Sequence, residues 1–255
     1  MALEGTVSPA PHSIAKINAL RYIARAIFKE FRVKTVQIKG ASEQYPVGKI
    51  VCIGQNYAAH IKEMKAETPT TPVFFLKPTT ALVRDGGDVT LPTISHDVHH
   101  EVELTVLIGR DGKNISQSSA LEHVAGYGVG LDMTLRDVQA EAKKKGLPWT
   151  LAKGFDTSAP ISDFVSSRSV PDPGVLVVRL NVNGVIRQQS STSDLIFSVS
   201  TLIAYISQFV TLERGDIMYT GTPQGVSQVK SGDLLEAFLS DSKGTQLASL
   251  SAHIR

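Results

Sequence analysis

The chain has 255 residues, a formal net charge of +2 and a single cysteine, Cys52. This length allows one large domain or two ordinary ones, and the near-neutral charge with dispersed basic residues gives no indication of a nucleic-acid partner. No apolar run approaches the ~20 residues of a membrane span, and one cysteine excludes an intramolecular disulfide, so we expect a soluble intracellular protein.

We predict an N-terminal extension over residues 1–45 that contains an amphipathic helix. Apolar residues recur at helical spacing from Ser13 to Phe31, while Arg21, Arg25 and Lys29 step by four on another face. Acid-poor basic helices of this kind are typical of mitochondrial presequences, but also of helices that dock on the protein body or on a partner subunit. The compartment therefore stays open between mitochondrion and cytoplasm.

From residue 46 onward, short strands and turns dominate the pattern. Strands are predicted at 49–54, 72–78, 101–108 and 126–134, and short helices at 56–64 and 118–124. A polar helix follows from Arg136 to Lys145, and residues 149–156 are predicted to form a strand that leads into a loop.

The remaining segments complete a β-rich body. AsnGly at 183–184 lies between two alternating segments, which is a strong hairpin signal. An amphipathic helix at 197–209, a strand ending in ThrGlyThrPro, and a hairpin formed by 234–239 and 246–254 close the chain. Many short strands with few helices favour an α+β, β-rich roll in one catalytic domain, residues 46–255, over a doubly wound sheet.

Three acids suggest a metal site. Glu101 and Glu103 alternate with valine and leucine, so on a strand both carboxylates share one face, where a divalent cation would offset their repulsion. Asp132 is the only acid of the strand-like run 126–134. An all-oxygen set suits Mg²⁺, Mn²⁺ or Ca²⁺, with a zinc site that includes His99 as the alternative. Otherwise the glutamates are solvated strand residues and Asp132 caps the next helix.

Other residues could act beside these acids. His60 and Glu63 are three apart on one helical face, an arrangement in which a carboxylate raises the basicity of the imidazole; surface pairs of this kind are also common. Arg136 and Gln139, three apart on the next helix, could grip a carboxylate or could be ordinary surface. Lys153, in an apolar context, is either a buried cation for an anionic substrate or a snorkelling side chain.

A turn and the cysteine are further candidates for a role. ThrGlyThrPro at 220–223 offers backbone N–H groups and the Thr222 hydroxyl, which suits an anion but also describes many structural turns. Cys52 lies in an apolar run and is expected to be a buried small hydrophobe rather than a nucleophile.

Six stretches occur in the order found in one known family. They are GlyGlnAsnTyrAlaAlaHisIleLysGluMet, PhePheLeuLysPro, HisHisGluValGluLeu, LeuAspMetThrLeuArgAspValGln, LysLysGlyLeuProTrpThrLeuAlaLys and ThrGlyThrProGlnGlyVal. On these motifs the chain, from residue 46 to its end, resembles the fumarylacetoacetate hydrolase family. It is most similar to the branch of acylpyruvate hydrolases that also decarboxylate oxaloacetate.

The resemblance implies a mixed β-sandwich or roll, usually a homodimer, that acts on small 2-oxo acids. It implies Mg²⁺, or Mn²⁺, on Glu101, Glu103 and Asp132, and a water-activating dyad of His60 and Glu63. Lys153 is implied as an electrostatic partner of the substrate. The positions implied to hold the substrate's carboxylate and oxo groups are Arg136, Gln139 and Thr222.

The sequence departs from the family pattern at two places and leaves two other functions open. Gln55 stands where many relatives carry a basic residue, and Ser227 and Gln228 replace the usual GlyPro, which puts that turn in doubt. The alternatives are an isomerase or another 2-oxo acid hydrolase of the family, or a non-enzymatic, metal-stabilised domain that binds dicarboxylates. The basic N-terminal helix is the feature that favours a binding role.

Overall fold

The computed structural model describes residues 33–255, so the helix predicted between Ser13 and Phe31 lies outside the described residues. The strands are β1 Thr35–Gln37, β2 Gln44–Pro46, β3 Ile50–Gly54, β4 Val73–Lys77, β5 Leu82–Arg84, β6 Gly87–Val89, β7 Val98–His100, β8 Val102–Ile108, β9 Val124–Leu131, β10 Thr134–Leu135, β11 Ala159–Ile161, β12 Val165–Ser166, β13 Val177–Val182, β14 Val185–Ser191, β15 Ile217–Tyr219, β16 Ser227–Gln228, β17 Leu234–Ser240 and β18 Gln246–Ile254. The α-helices are α1 Ala58–Glu63, α2 Arg136–Lys145, α3 Thr150–Lys153 and α4 Val199–Ile206. Short 3₁₀ helices are Thr79–Ala81, Ala120–His123, Ser167–Ser169, Pro173–Val175 and Thr192–Asp194.

Two larger sheets carry the structure. The first has eight strands, with β4, β3, β15, β8, β9, β11 and β5 in that order and β12 paired beside β9. The second has five strands in the order β14, β13, β17, β18 and β6. Most neighbours are antiparallel, but β3 with β15, β5 with β11, and β6 with β18 are parallel. The predicted β-rich α+β fold, a mixed and curled sheet arrangement, is confirmed.

The main core lies where the two large sheets face each other, because β13 of the second sheet contacts β8, and β17 and β18 contact β9. Strand β8 is buried along its whole length, but its two faces differ. Val102, Leu104 and Val106 belong to the larger apolar cluster together with residues of the second sheet. Leu107 faces the other way, into a smaller cluster. Glu103 is on this second face as well, which places its carboxylate outside the inter-sheet core.

Most sequence-based predictions for this body are confirmed. The hairpin at Asn183 and Gly184 joins β13 to β14, and both residues have positive φ (51° and 78°), as a two-residue hairpin turn requires. The polar helix runs over Arg136–Lys145 and ends at Gly146, which is left-handed with φ 66°. The helix predicted at 118–124 is the shorter 3₁₀ turn Ala120–His123.

The strand predicted over 149–156 is wrong. This segment contains the single helical turn α3, in which Lys153 N–H donates to the Trp149 carbonyl and Gly154 N–H to the Thr150 carbonyl (2.9 and 2.7 Å). Leu151 is 70% exposed whereas Ala152 and Lys153 are buried. Four residues are too few to separate a period of two from one helical turn, and leucine, alanine and lysine are good helix formers.

Residues 35–45, assigned to the extension by sequence, contribute to the antiparallel pair β1 and β2, which ends at Pro46. Val36 and Tyr45 on these strands pack into the smaller apolar cluster. None of the helices within residues 33–255 is long and apolar enough to cross a membrane.

Candidate active site

Pairing of β8 with β9 brings the three predicted acids together. Val102 at the start of β8 pairs with Leu131 at the end of β9, and the Asp132 N–H donates to the Glu101 carbonyl (2.8 Å). One ligand oxygen from each of Glu101, Glu103 and Asp132 lies within 4.8 Å of the others, and all three residues are buried. Glu103 on β8, Glu101 directly before that strand and Asp132 directly after β9 thus form one cluster.

The cations around the cluster do not fully neutralise its negative charge, and Glu103 is the acid at which this shows. Burial, and then the Asp132 and Glu101 carboxylates, raise the pKa of Glu103 well above its ordinary value. Its Oε2 accepts a hydrogen bond from Gly221 N–H (2.6 Å), but its Oε1 is buried without a hydrogen-bond partner. A buried carboxylate oxygen in that state fits a cation ligand, so the residues present suit a hard divalent metal ion.

No histidine joins this cluster, which is the only one of its kind within residues 33–255. The His99 Nε2 atom instead lies 2.8 Å from Asp97 Oδ1. The donor set is therefore carboxylate alone, which favours Mg²⁺ or Mn²⁺ over the zinc alternative.

Two buried lysines compensate the acids. Lys153 Nζ lies 2.7 Å from both Glu101 Oε2 and Asp132 Oδ2. Lys77 Nζ lies 2.8 Å from Asp132 Oδ1 and also donates to Ser158 Oγ (3.0 Å). Lys153 is thus a buried cation and not a snorkelling side chain. Lys77 was not singled out by sequence, although a lysine at the end of the apolar strand β4, directly before a proline, offered the same signal as Lys153.

The first turn of α2 reaches the same acids. Arg136 Nη2 lies 2.5 Å from Glu101 Oε1, and its Nη1 donates to Gln139 Oε1 (2.7 Å), while Nε is buried without a hydrogen-bond partner. Burial alone would raise the pKa of Glu101, but Lys153 and Arg136 outweigh it and hold that pKa well below its ordinary value. Glu101 is therefore ionised, and three of the five N–H groups of the Arg136 guanidinium have no acceptor among the protein contacts described.

The His60 and Glu63 pair forms on α1 as the spacing predicted. His60 Nδ1 lies 3.0 Å from Glu63 Oε2, and Glu63 Oε1 accepts a hydrogen bond from Gly225 N–H (2.9 Å). A carboxylate that accepts from Nδ1–H leaves Nε2 of the ring as the basic nitrogen. Glu63 is thus held from both oxygens, which fixes the orientation of the imidazole.

One buried amide, not anticipated from sequence, holds the Thr222 loop against β8. Gln188 on β14 accepts from Val102 N–H (3.0 Å), lies 2.9 Å from His100 Nδ1, and donates to Thr222 Oγ1 (2.9 Å). Thr222 Oγ1 in turn donates to the Val102 carbonyl (2.9 Å). Val102 separates the two glutamates, so Gln188 fixes the backbone that presents them. The hydroxyl proton of Thr222 is already in use.

The two residues that stand in place of the family's usual GlyPro have a definite structural role. Ser227 and Gln228 form β16, which pairs with β7. Ser227 Oγ lies 2.8 Å from His100 Nε2, so the serine satisfies the second nitrogen of that buried ring. Cys52 is fully buried, and burial followed by the Asp132 charge raises its pKa well above the ordinary value, as expected for a small hydrophobe.

One pocket is lined both by Glu101 of the acid cluster and by His60 of the dyad. Its walls include all the predicted catalytic and substrate-binding residues except Glu63, together with apolar and polar residues of the β3 end and the α2–α3 segment. Its lining includes Gln55, His60, Phe75, Glu101, Arg136, Gln139, Lys143, Trp149, Lys153 and Thr222. An anionic compound in this pocket would therefore meet cations, a histidine base and the Glu101 end of the acid cluster.

Comparisons with known proteins identify the family of this chain. A family model described as fumarylacetoacetate (FAA) hydrolase C-terminal matches residues 49–255. A Rattus norvegicus protein named oxaloacetate tautomerase, mitochondrial, is 52% identical over 188 residues, which are 74% of this chain and 85% of that protein. An Escherichia coli oxaloacetate tautomerase is 48% identical over 198 residues, 77% of this chain and 90% of that protein.

A solved structure is similar over nearly the whole described body. The crystal structure of fumarylpyruvate hydrolase from Pseudomonas aeruginosa in complex with Mn²⁺ and pyruvate covers 88% of this chain and 96% of that chain, with a TM-score of 0.82 and 37% identity. Fold and pocket together define an enzyme built on curled mixed sheets around a buried carboxylate cluster. The chain belongs to the fumarylacetoacetate hydrolase family, as the six ordered motifs predicted.

Proposed function

We propose that this protein is a divalent-metal-dependent enzyme that hydrolyses acylpyruvates to pyruvate and a carboxylic acid, and that it also acts on oxaloacetate. The observation that carries the proposal is that one pocket is lined by three cations, by His60 and by Glu101, which belongs to the cluster of three acids. The relatives named fumarylpyruvate hydrolase and oxaloacetate tautomerase support both substrates.

The acid cluster would hold Mg²⁺, with Mn²⁺ as the alternative, through Glu101, Glu103 and Asp132. When bound, such an ion supplies the positive charge that favours the enolate form of a 2-oxo acid. The carboxylate-only donor set and the unpartnered Oε1 of Glu103 support this assignment. The Mn²⁺ in the related fumarylpyruvate hydrolase structure supports it further.

The pocket cations would bind and orient the substrate. Arg136, with an unpartnered Nε–H, and the Gln139 amide beside it suit the carboxylate of a 2-oxo acid. Lys153 holds Glu101 and Asp132 in place and would stabilise negative charge that develops on the oxo oxygen. Thr222 contributes to the wall, where its hydroxyl holds the loop to Val102.

His60 would activate the water that hydrolysis requires. Its Nε2 takes a proton from water, and the resulting imidazolium is stabilised by the Glu63 carboxylate at Nδ1. The hydroxide attacks the distal carbonyl of the acylpyruvate, the carbon–carbon bond breaks, and the electron pair passes to the pyruvate enolate. His60 can then return its proton to the enolate carbon.

Oxaloacetate would use the same binding groups without the water. Loss of a proton from the carbon beside the oxo group gives the enolate of oxaloacetate, whereas loss of carbon dioxide gives the enolate of pyruvate, which then takes up a proton. The first route is the tautomerisation in the relatives' names, and it belongs to the isomerase alternative; the second is the decarboxylation that the resemblance implies.

We expect His60→Ala to separate the two reactions. Removing a general base typically costs on the order of a hundredfold or more in rate, so hydrolysis of acetylpyruvate should fall by that factor. Oxaloacetate decarboxylation should fall far less, because it uses no water. The measurement is pyruvate release from each substrate with Mg²⁺ and with chelator. Equal losses on both substrates would contradict the role given to His60.

The same assay addresses the non-enzymatic alternative. A dicarboxylate-binding domain would bind oxalate in a metal-dependent way and release no pyruvate from any acylpyruvate or from oxaloacetate. Metal-dependent release that a chelator abolishes and Mg²⁺ restores is the result that the proposed enzyme predicts.

We further propose that the protein is a homodimer that works inside the cell, in mitochondria or cytoplasm. The mitochondrial name of the rat relative and its bacterial counterpart support an intracellular location. Light scattering of the full chain at micromolar concentration tests the assembly, since a mass near 27.4 kDa would contradict a dimer.

A further inference from the structure

Side chains, rather than a neighbouring strand, hold the N–H and carbonyl groups of Val102. On the β15 side of β8, strand pairing ends where Tyr219 lies opposite Thr105. At Val102 the N–H donates to Gln188 Oε1 (3.0 Å), and the carbonyl accepts from Thr222 Oγ1 (2.9 Å). Val102 separates the two glutamates of the acid cluster, so these hydrogen bonds fix the backbone that sets the distance between the two carboxylates.

The Gln188 amide uses every hydrogen-bonding position that it has. Oε1 accepts from Val102 N–H and lies 2.9 Å from His100 Nδ1, while Nε2 donates to Thr222 Oγ1 (2.9 Å) and to the Pro223 carbonyl (2.8 Å). A backbone N–H only donates and a carbonyl only accepts, so the amide has one possible orientation. Because Gln188 is buried, its removal would leave several buried polar groups unpaired.

The His100 ring supports the amide from the other side. Gln188 Oε1 carries no hydrogen, so the contact requires a hydrogen on Nδ1 of His100. Burial lowers the pKa of His100, which keeps the ring neutral and lets its Nε2 accept from the Ser227 hydroxyl (2.8 Å). A directional series of hydrogen bonds thus runs from Ser227 through His100, Gln188 and Thr222 to Val102.

The loop formed by residues 222–225, which Gln188 holds at its start, also holds the dyad. Gly225 N–H donates to Glu63 Oε1 (2.9 Å), and Glu63 Oε2 lies 3.0 Å from His60 Nδ1. The Gly225 backbone lies directly against β14, because a Cβ added there would collide with the Arg187 carbonyl oxygen. The 222–225 loop therefore rests on Arg187 and Gln188 and reaches Glu63 at its other end.

We propose that Gln188 is a positioning residue common to both halves of the active site. It holds the Val102 backbone between two metal-binding glutamates and, through the 222–225 loop, the Glu63 carboxylate that orients His60. Gln188 is not among the residues that line the pocket, so it acts through these groups and not on the substrate. This inference rests on the proposed function, because it assumes that the glutamates bind a divalent ion and that His60 activates water.

The first test measures Mn²⁺ binding to the full chain by calorimetry, without substrate. Gln188→Met keeps the length of the side chain and removes its four hydrogen bonds. We expect the Kd for Mn²⁺ to rise by about 10- to 100-fold, the usual effect of losing a group that orients metal ligands. Gln189→Met, the same substitution at the exposed neighbour on β14, is the matched control, and Leu250→Ala in the apolar core controls for lost stability. An unchanged Kd in Gln188→Met, or an equal rise in Leu250→Ala, overturns the proposal.

A milder variant tests the same series of hydrogen bonds if Gln188→Met does not fold. Ser227→Ala removes the hydroxyl that donates to His100 and leaves all contacts of Gln188 in place. The Kd for Mn²⁺ should rise by about threefold, the size of one hydrogen bond, and Ser227→Thr, which retains the hydroxyl, should restore the wild-type value. Equal Mn²⁺ affinities in Ser227→Ala and the wild type contradict the proposed series.

The second test compares two reactions at saturating Mn²⁺, where lower metal affinity no longer affects the rate. Hydrolysis of acetylpyruvate needs the oriented His60, whereas oxaloacetate decarboxylation does not. Gln188→Met should therefore lower the ratio of hydrolysis to decarboxylation by on the order of tenfold, because a displaced base is a poor catalyst. An unchanged ratio overturns the link from Gln188 to the dyad. A wild-type protein that neither binds Mn²⁺ nor releases pyruvate from either substrate would contradict the proposed function instead.

Discussion

The two faces of β8 are both buried, but for opposite reasons. On one face Val102, Leu104 and Val106 are completely buried in the apolar core between the sheets. On the other face Glu103 Oε1 and Thr105 Oγ1 are buried without hydrogen-bond partners. The first face stabilises the fold through the hydrophobic effect, whereas the second carries an energetic cost that a bound cation would offset.

The contrast explains how one strand can both hold the protein together and present reactive groups. The backbone of Glu103 cannot move without shifting the strand, because the neighbouring side chains of Val102 and Leu104 are packed in the core. The apolar face therefore supplies the rigidity that keeps a strained polar face in place. Single substitutions can therefore disturb one face at a time.

The largest expected effect is on the polar side. Replacing Glu101 with alanine removes a proposed metal ligand and leaves Lys153 and Arg136 without their shared carboxylate. Loss of this charge should lower turnover of both acylpyruvates and oxaloacetate by about a thousandfold or more. Steady-state pyruvate release with saturating Mg²⁺ measures it. Retained oxaloacetate turnover in a folded variant would contradict the shared site.

The next effect is on the apolar side. Leu104→Ala leaves a cavity in the inter-sheet core and should lower the free energy of unfolding by about 3 kcal/mol. Urea denaturation followed by circular dichroism measures the change. Below the unfolding transition, the ratio of hydrolysis to oxaloacetate turnover should match the wild type, because the substitution touches no pocket residue. A changed ratio would mean that the two faces are not separable.

The smallest effect is a gain in stability. In the metal-free protein Glu103 must take up a proton to stay neutral beside two other carboxylates, whereas Glu103→Gln is neutral without it, so the free energy of unfolding should rise by about 1 kcal/mol. The raised pKa of Glu103 means that the folded wild type binds the extra proton, so its stability falls as pH increases above the ordinary value of 4.5. The advantage of the variant should therefore grow with pH in that window.

Thermal unfolding in chelator at several pH values checks this. The opposite shift of Glu101 acts below its ordinary pKa of 4.5. The pKa of His100, lowered by burial, acts below 6.5 in both proteins, so the difference between variant and wild type isolates Glu103. Adding Mg²⁺ should stabilise the wild type and leave the variant almost unaffected. A variant that is less stable than the metal-free wild type at every pH would contradict the strain assigned to the polar face.

The sequence was sufficient where neighbouring residues determine the geometry. The period of two placed Glu101 and Glu103 on one face, and the spacing of three paired His60 with Glu63 and Arg136 with Gln139. The order of the six motifs added the family resemblance. These features depend on local backbone geometry, which residue patterns report directly.

The sequence was insufficient where distant segments meet. Gln188 clamps Val102 across 86 positions, and Lys77 reaches Asp132 from another strand, so no spacing could reveal either contact. The strand prediction for residues 149–156 was wrong for a different reason, since one helical turn gives too few residues to define a period.

The central claim is that three acids surround one hard divalent ion in the pocket that contains His60. Anomalous diffraction from a crystal grown with Mn²⁺ and oxalate tests it most directly. We expect one strong peak within bonding distance of Glu101, Glu103 and Asp132, with oxalate between the ion and Arg136. A peak elsewhere, or three carboxylates bound only to Lys77 and Lys153 at saturating Mn²⁺, would contradict it.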